Sequence, residues 1–361
     1  MSIDGRRAES WTRAALLPPR AHGAPLALVE WKTEPEDFRV EEVLSFVPAG
    51  VGPHWLLQVE KRSANTRWVA AELARLAGVP AGDVGYAGLK DRHAVAVQWF
   101  SVPGQSQSAD FWSGVRTDEF KVVDVKANMR KLKRGALSGN RFRIRLRRVA
   151  WSREQLDIKL DALRAHGAPN YFGPQRFGRH GRNLDSIVRW VQSGLKPRGR
   201  TEREFALSAA RALLFNAVLA RRVQAGDWSR MEAGDLASLD GSGSHFRVTA
   251  LDDELRRRLQ EFDVHPTGPL WGRGEPESWG GSLEIEREVA REFQVVADLL
   301  AAEGLSQERR PLRCAVRELR VEADAQTLTL GFSLGRGQFA TAVLREICDF
   351  GADPPFESEV A

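Results

Sequence analysis

The sequence predicts an α+β protein of two domains, in which a strand-rich domain is interrupted by a more helical one. The chain has 361 residues, and a single hydrophobic core stops growing near about 250–300 residues. Alternating apolar and polar residues dominate up to residue 148, helical spacing takes over after Trp151, and alternation returns after Leu312. With 42% hydrophobic and 28% charged residues, the chain can bury a core without disulfide staples.

In order along the chain, Asp37 to Pro48 alternates apolar and polar residues and Trp55 to Val59 does so less regularly, which predicts two strands. Asn65 is placed as an N-cap, Thr66 to Leu76 carries helical spacing, and Gly78 supplies the stop. Val95 to Val102 reads as a strand closed by Pro103. The clearest strand is Asn140 to Arg148: Phe142, Ile144 and Leu146 face one way, and Arg141, Arg143, Arg145 and Arg147 the other. Helices are expected over Glu154–Ala165, Arg182–Ser193 and Glu202–Ala225. Gly234 to Gly281 looks loop-rich, with turn signals at Asp240-Gly241 and Pro266 to Gly268 and with Trp271 and Trp279 over a small core. A long helix follows over Ser282–Glu303, then a hairpin from Leu312–Val321 and Thr327–Phe332, and a last helix over Phe339–Phe350.

Several chemistries lose support at once. Cys314 and Cys348 form no Cys-x-x-Cys, and His22, His54, His93, His166, His180, His245 and His265 are scattered, so no metal site is expected. No phosphate loop, dinucleotide-binding glycine turn or nucleophile elbow occurs. Apolar runs are short and Met1 to Arg7 lack a following apolar stretch, so no membrane contact is expected and the cytoplasm is the expected location. Without a heptad or an apolar stripe the chain leans to a monomer, and nothing implies a protein partner.

Charge gives a positive indication. The net charge is +5, yet Lys126 to Arg148 holds ten basic residues and no acid, and Arg176 to Arg222 holds eleven against Asp185, Glu202 and Glu204. Two basic tracts on an otherwise acidic chain suit a polyanion. GC-rich coding explains 44 Arg against nine Lys, but not their clustering. Phe142, Tyr171, Phe172 and Phe177 interleave with the charges, as base stacking requires.

Two segments carry chemistry. Gly85 to Ala94 sets Asp91 between Lys90 and Arg92 in a glycine-containing stretch, either a carboxylate held ionised as nucleophile or base, or a turn aspartate bonded to its own backbone. Asn170 to Arg179 joins rings to amide and guanidinium groups, either a grip for an unpaired nucleotide or a rigid loop with rings packed inward. Tyr86 and Tyr171, the chain's two tyrosines, fall one in each.

The run GYAGLKDRHAVAVQWFS at 85–101 closely resembles the signature of the tRNA pseudouridine synthase D (TruD) family. Lys32 with Pro35-Glu36-Asp37-Phe38, Gly139-Asn140-Arg141-Phe142, NYFGPQRFGR at 170–179, Arg211 with Phe215-Asn216, Pro266 to Leu270, and Gln338 to Thr341 match in family order. The first 25 residues match nothing. The resemblance implies a cofactor-free isomerisation of uridine to pseudouridine in tRNA, at uridine-13. It implies Asp91 as the catalytic aspartate, Lys32 as the basic residue beside it, and Phe38, Asn140, Phe142 and Phe339 around the target uridine. The implied fold is a catalytic domain on a mixed or antiparallel β-sheet (1–165 with 310–361), interrupted by an inserted, more helical α/β domain (166–309) that helps grip RNA. For Phe142, packing and stacking remain equal readings. The competing function is a non-catalytic RNA-binding protein or RNA chaperone; a methyltransferase would need a cofactor turn that the sequence lacks.

Overall fold

The structure, a computed structural model, describes residues 11, 15–105, 107–149, 151–178, 181–324 and 326–350. Contacts divide the chain into two compact units. One takes the chain up to Pro25, Glu154–Ala315 and Gln338–Ile347; the other takes Leu26–Arg153, Val316–Gly337 and the chain from Cys348. The strand-rich unit is thus interrupted twice, and residues 154–165, 310–315 and 338–347 lie with the helical unit, away from the boundaries expected at 165 and 310.

In chain order the strands are β1 (Glu30–Trp31), β2 (Phe38–Leu44), β3 (His54–Arg62), β4 (Gly85–Tyr86), β5 (Val95–Pro103), β6 (Phe120–Asn128) and β7 (Leu137–Arg147). The helical unit then contributes β8 (Ala168–Pro169), β9 (Leu236–Leu239), β10 (His245–Arg247), β11 (Val264–Leu270), β12 (Glu308–Pro311) and β13 (Arg313–Cys314), before β14 (Arg317–Ala323) and β15 (Thr327–Gly335) return. One mixed sheet organises the strand-rich unit in the order β14-β15-β7-β2-β5-β3-β6, with β1 beside β7 and β4 beside β5. Only β2 and β5 pair in parallel among these neighbours. The helix Thr66–Ala77 lays Val69, Leu73 and Ala77 on Leu57, Val59 and Phe100 of the sheet. Gly78 closes it at φ 66°, its amide donating to the Ala74 and Arg75 carbonyls, as a left-handed C-cap does. Asn65 is the N-cap residue, but its side chain makes no capping bond.

On β7 the alternation is as expected: Ile144 and Leu146 are fully buried and Arg141 and Arg143 exposed. The arginine face is not bare, however. Arg141 pairs with Glu41, Arg143 with Glu322, Arg147 with Asp37 and Glu34, and Arg148 with Glu30. Glu30, Glu41 and Glu322 come from β1, β2 and β14, and Glu34 and Asp37 from the helical turn before β2, so a tract without acids in sequence is partly neutralised in space. Exposed Arg130, Lys133 and Arg134 keep the basic character at the β6–β7 connection.

The helical unit buries Ile187 and Trp190 of Arg182–Ser193 and Leu213, Phe215 and Leu219 of Arg200–Ala225, together with Phe293 and Leu300. The stretch expected to be loop-rich holds three strands of a four-stranded sheet, β10-β9-β11-β12, and the helix Asp253–Gln260. Pro266 and Pro269 disguise β11 as turn, because proline cannot donate to a ladder. The expected 282–303 helix is two, Gly280–Glu292 and Gln294–Ala302, broken at Phe293 (φ −104°, ψ 30°). The last helix shrinks to Ala340–Leu344. Arg313–Cys314 pairs with β8 rather than continuing the hairpin. No helix of the described residues is long and apolar enough to cross a membrane.

Candidate active site

The segment Gly85 to Ala94 leads into β5, and its position is set by polar side chains planted on neighbouring strands. Lys61 of β3 is fully buried, and its ammonium donates to the carbonyls of Ala64 (2.5 Å), Asp91 (3.0 Å) and Lys90 (3.4 Å). Gln98 of β5 donates to the Gly88 carbonyl at 2.9 Å and accepts from the Thr66 hydroxyl at 2.9 Å; that hydroxyl accepts the Lys90 amide at 3.1 Å. Lys90 turns away from Asp91 to meet Glu42 of β2 at 2.6 Å, with side chains 7% and 0% exposed. The other Glu42 oxygen accepts the Trp99 amide at 3.3 Å. Buried charges persist only when paired and hydrogen-bonded, and this loop is held on that condition.

The cation on Asp91 comes from elsewhere. Lys32 Nζ lies 2.6 Å from Asp91 Oδ2, with side chains 3% and 27% exposed, so the ammonium is sealed in and the carboxylate stays reachable. Lys32 adopts φ 53°, a left-handed conformation that costs a non-glycine residue of the order of 1 kcal/mol and clusters at working sites. His93 Nε2 donates to its carbonyl at 2.9 Å. The ammonium stands 4.2 Å from the Phe38 ring centroid and 4.9 Å from that of Trp31. The expectation that Lys90 and Arg92 flank the carboxylate is therefore replaced: Lys90 braces the loop, Arg92 is exposed, and Lys32 makes the ion pair.

Asp37, between the two signature residues Lys32 and Phe38, is structural. It is fully buried, accepts the Glu34 amide, and takes both arms of the Arg147 fork at 2.8 and 2.9 Å. Phe38 opens β2 beside it. Its ring meets Phe142 edge-on at 6.0 Å, and Phe142 lies half-buried against Phe332 at 5.5 Å. Asn140 stands opposite Glu42 in the β2–β7 register, and its Oδ1 is buried without a hydrogen-bond partner among the described residues. Tyr86 accepts a hydrogen bond from Arg134 at 2.8 Å under a guanidinium 4.0 Å from its ring centroid.

Lys32, Phe38, Asp91, Asn140 and Phe142 thus belong to one unit; Asp91, Lys32, Phe38 and Phe142 form a chain of contacts, and Asn140 is placed by its register opposite Glu42. Phe339 belongs to the other, where it packs on Phe172 with ring centroids 6.3 Å apart. Arg179, the last residue of the 170–179 match, lies outside the described residues. Sequence reasoning missed Lys61, Glu42, Gln98 and Thr66; a glutamate and a lysine on the apolar phase of their strands, after Phe38 and Val40 in one and Leu57 and Val59 in the other, are the signal that could have found two of them. Among the described residues no group of three or more His, Cys, Asp or Glu is placed to hold a metal ion.

The family sequence model described as tRNA pseudouridine synthase D (TruD) matches residues 27–193 and 200–347. The tRNA pseudouridine synthase D of Nitrosococcus oceani is 46% identical over 326 residues, 90% of this chain and 91% of that protein. That of Methylococcus capsulatus is 45% identical over 335 residues, 92% and 94% of the two chains. A solved structure from Methanosarcina mazei, described as a tRNA pseudouridine synthase D, superposes with a TM-score of 0.72 at 20% identity, covering 96% of this chain and 98% of that one; it shares the fold. The chain belongs to the tRNA pseudouridine synthase D family.

Proposed function

We propose that this protein isomerises uridine to pseudouridine in tRNA, at uridine-13, in the cytoplasm and without a cofactor, with Asp91 as the catalytic carboxylate. The observation that carries the reading is the Lys32–Asp91 pair at 2.6 Å, a reachable carboxylate fixed by a buried ammonium on an aromatic floor. The strand-rich unit is then the catalytic one, and the helical unit grips RNA.

Isomerisation breaks the bond from uracil N1 to ribose C1′ and remakes it through C5, with a proton leaving C5 and one returning to N1. The base must leave its stack and turn while detached, which costs a few kcal/mol, offset by ring contacts worth about 1–3 kcal/mol each. Phe38 and half-buried Phe142 supply rings, and the unpartnered Asn140 Oδ1 is an acceptor suited to the N3–H of uracil. Asp91 acts at C1′, at uracil C6 or on the C2′ proton. Each route uses a carboxylate oxygen as nucleophile or base, and the Lys32 ammonium at 2.6 Å holds Asp91 in place for all three.

The position is tested by primer extension after carbodiimide adduct formation on a tRNA transcript treated with the enzyme. The expected stop lies one nucleotide 3′ of nucleotide 13 and disappears from a transcript carrying cytidine at 13. A stop at another uridine overturns the assignment.

A further inference from the structure

The strand arginines of the basic tract are matched by acids, whereas the cations of the β6–β7 connection are not. Arg141, Arg143, Arg147 and Arg148 pair with Glu41, Glu322, Asp37 and Glu30. Arg130, Lys133 and Arg134 are exposed, and among the described residues none of them makes an ion pair. Arg336, just after β15, joins them from the far end of the chain. It is exposed, also makes no ion pair among the described residues, and donates from Nη1 to the Gly135 carbonyl at 3.0 Å, while its amide donates to the Ser138 carbonyl at 3.0 Å. Cations from two distant segments thus stand around one turn, closed by the Ala136 amide on the Lys133 carbonyl at 3.2 Å. Nothing adjoining answers their charge. The β2–β3 loop is tied to the end of β6 by the Gly50 amide on the Ala127 carbonyl at 3.0 Å and the Ala49 amide on Asn128 Oδ1 at 3.2 Å. Residues 45–53 and 127–137 contain no Asp or Glu, and Asp83, the acid of the adjoining 81–89 segment, pairs with none of the cations.

The connection is laid against the segment that carries Asp91. The Gly135 amide donates to the Ala87 carbonyl at 2.7 Å, the Leu132 amide to Ser101 Oγ at 2.9 Å, and Lys131 Nζ to the Gly82 carbonyl. A Cβ on Gly85 would run into the Leu132 carbonyl, so glycine permits this approach. Arg134 is steadied over Tyr86 by its bond to the hydroxyl at 2.8 Å and by the ring 4.0 Å away, yet stays exposed. Neutral groups and backbone hold the turn, and its charges are left for a partner.

We infer that Arg130, Lys133, Arg134 and Arg336 form a docking surface on the strand-rich unit for the phosphate backbone of the substrate RNA. Cations that meet phosphates release condensed counterions, and such contacts fix register without reading sequence. The strand arginines serve this less well, because a phosphate there must displace a carboxylate. That the polyanion is RNA rests on the proposed activity; that a polyanion docks here rests on the unpaired charges.

The test measures binding of a tRNA transcript between about 50 and 200 mM salt by the wild type, Arg130→Gln/Lys133→Gln, the charge-keeping Arg130→Lys/Lys133→Arg, and Arg143→Gln/Arg148→Gln. The last removes the same net charge from arginines that already have carboxylate partners. Every substituted side chain is exposed, so folding should be preserved. Arg130→Gln/Lys133→Gln should flatten the plot of log K against log salt by about two units, so that across this range it loses on the order of tenfold less affinity than the wild type. Its KM should rise while kcat at saturating tRNA is retained. The other two variants should keep the wild-type slope. A wild-type slope in Arg130→Gln/Lys133→Gln, or equal flattening in Arg143→Gln/Arg148→Gln, overturns the docking surface. Flattening confined to Arg130→Gln/Lys133→Gln in a protein without turnover would keep the surface and sink the isomerase reading.

Discussion

Lys90→Met removes the ammonium from a pair whose carboxylate, on Glu42, is fully buried. An orphaned buried charge costs about 3–5 kcal/mol, far above the 0–1 kcal/mol of a surface pair. Glu42 also accepts the Trp99 amide, so a partner for that amide must survive in any compensating change. Glu42→Gln keeps an oxygen there and removes the charge. The double variant should therefore sit about 2 kcal/mol or more above the stability expected from adding the two single losses. The assay is urea denaturation of all four proteins, with midpoint and slope fitted for each. Additivity within about 0.5 kcal/mol would show that water or another group already satisfies Glu42, and the account of the loop brace would be wrong.

Further outcomes follow from the site. Lys32→Met should lower kcat on the order of 100-fold with little change in tRNA affinity, since preorganised charge at a reacting group is worth that much; unchanged turnover and pH profile would exclude Lys32 from the chemistry. Asn140→Ala should lower kcat/KM by about 5–150-fold, the 1–3 kcal/mol of a desolvated hydrogen bond, and an equal effect on binding of a tRNA lacking the target uridine would deny it base contact. Cys314, with its thiol pushed up to about 12 by burial, should hold a thiolate fraction of about 10⁻⁴ at pH 8. It should resist iodoacetamide until the protein unfolds. Because that value lies above the ordinary 9.0, the thiol adds stability below pH 9 and withdraws it as pH rises towards 12.

What the sequence made legible followed the reach of its local patterns. β7 shows its period of two because Ile144 and Leu146 meet a core and the arginines do not. The helix Thr66–Ala77 announces itself by spacing and by Gly78. Periodicity runs across Phe293 without a mark, since the residues on both sides still face one core, so the break between the two helices was invisible. In β11 two prolines and a glycine outvoted the strand pattern. At the site, Asp91 and Lys32 were named through family motifs, but their pairing spans 59 residues, and no local rule connects them. The brace is harder still: Lys61, Glu42 and Gln98 each stand alone on a strand, and their meaning exists only where β2, β3 and β5 lie side by side. The pairing of the tract's arginines is hidden for the same reason, because Glu34, Glu41 and Glu322 that meet Arg147, Arg141 and Arg143 are distant in sequence.

The central claim, that Asp91 performs a uridine isomerisation, is tested most directly by tritium release from C5-labelled uridine in tRNA transcripts with no added cofactor. The account predicts release by the intact protein and none by Asp91→Asn, with tRNA binding preserved. Release that persists in Asp91→Asn would contradict it, as would salt-sensitive binding by both proteins without any release.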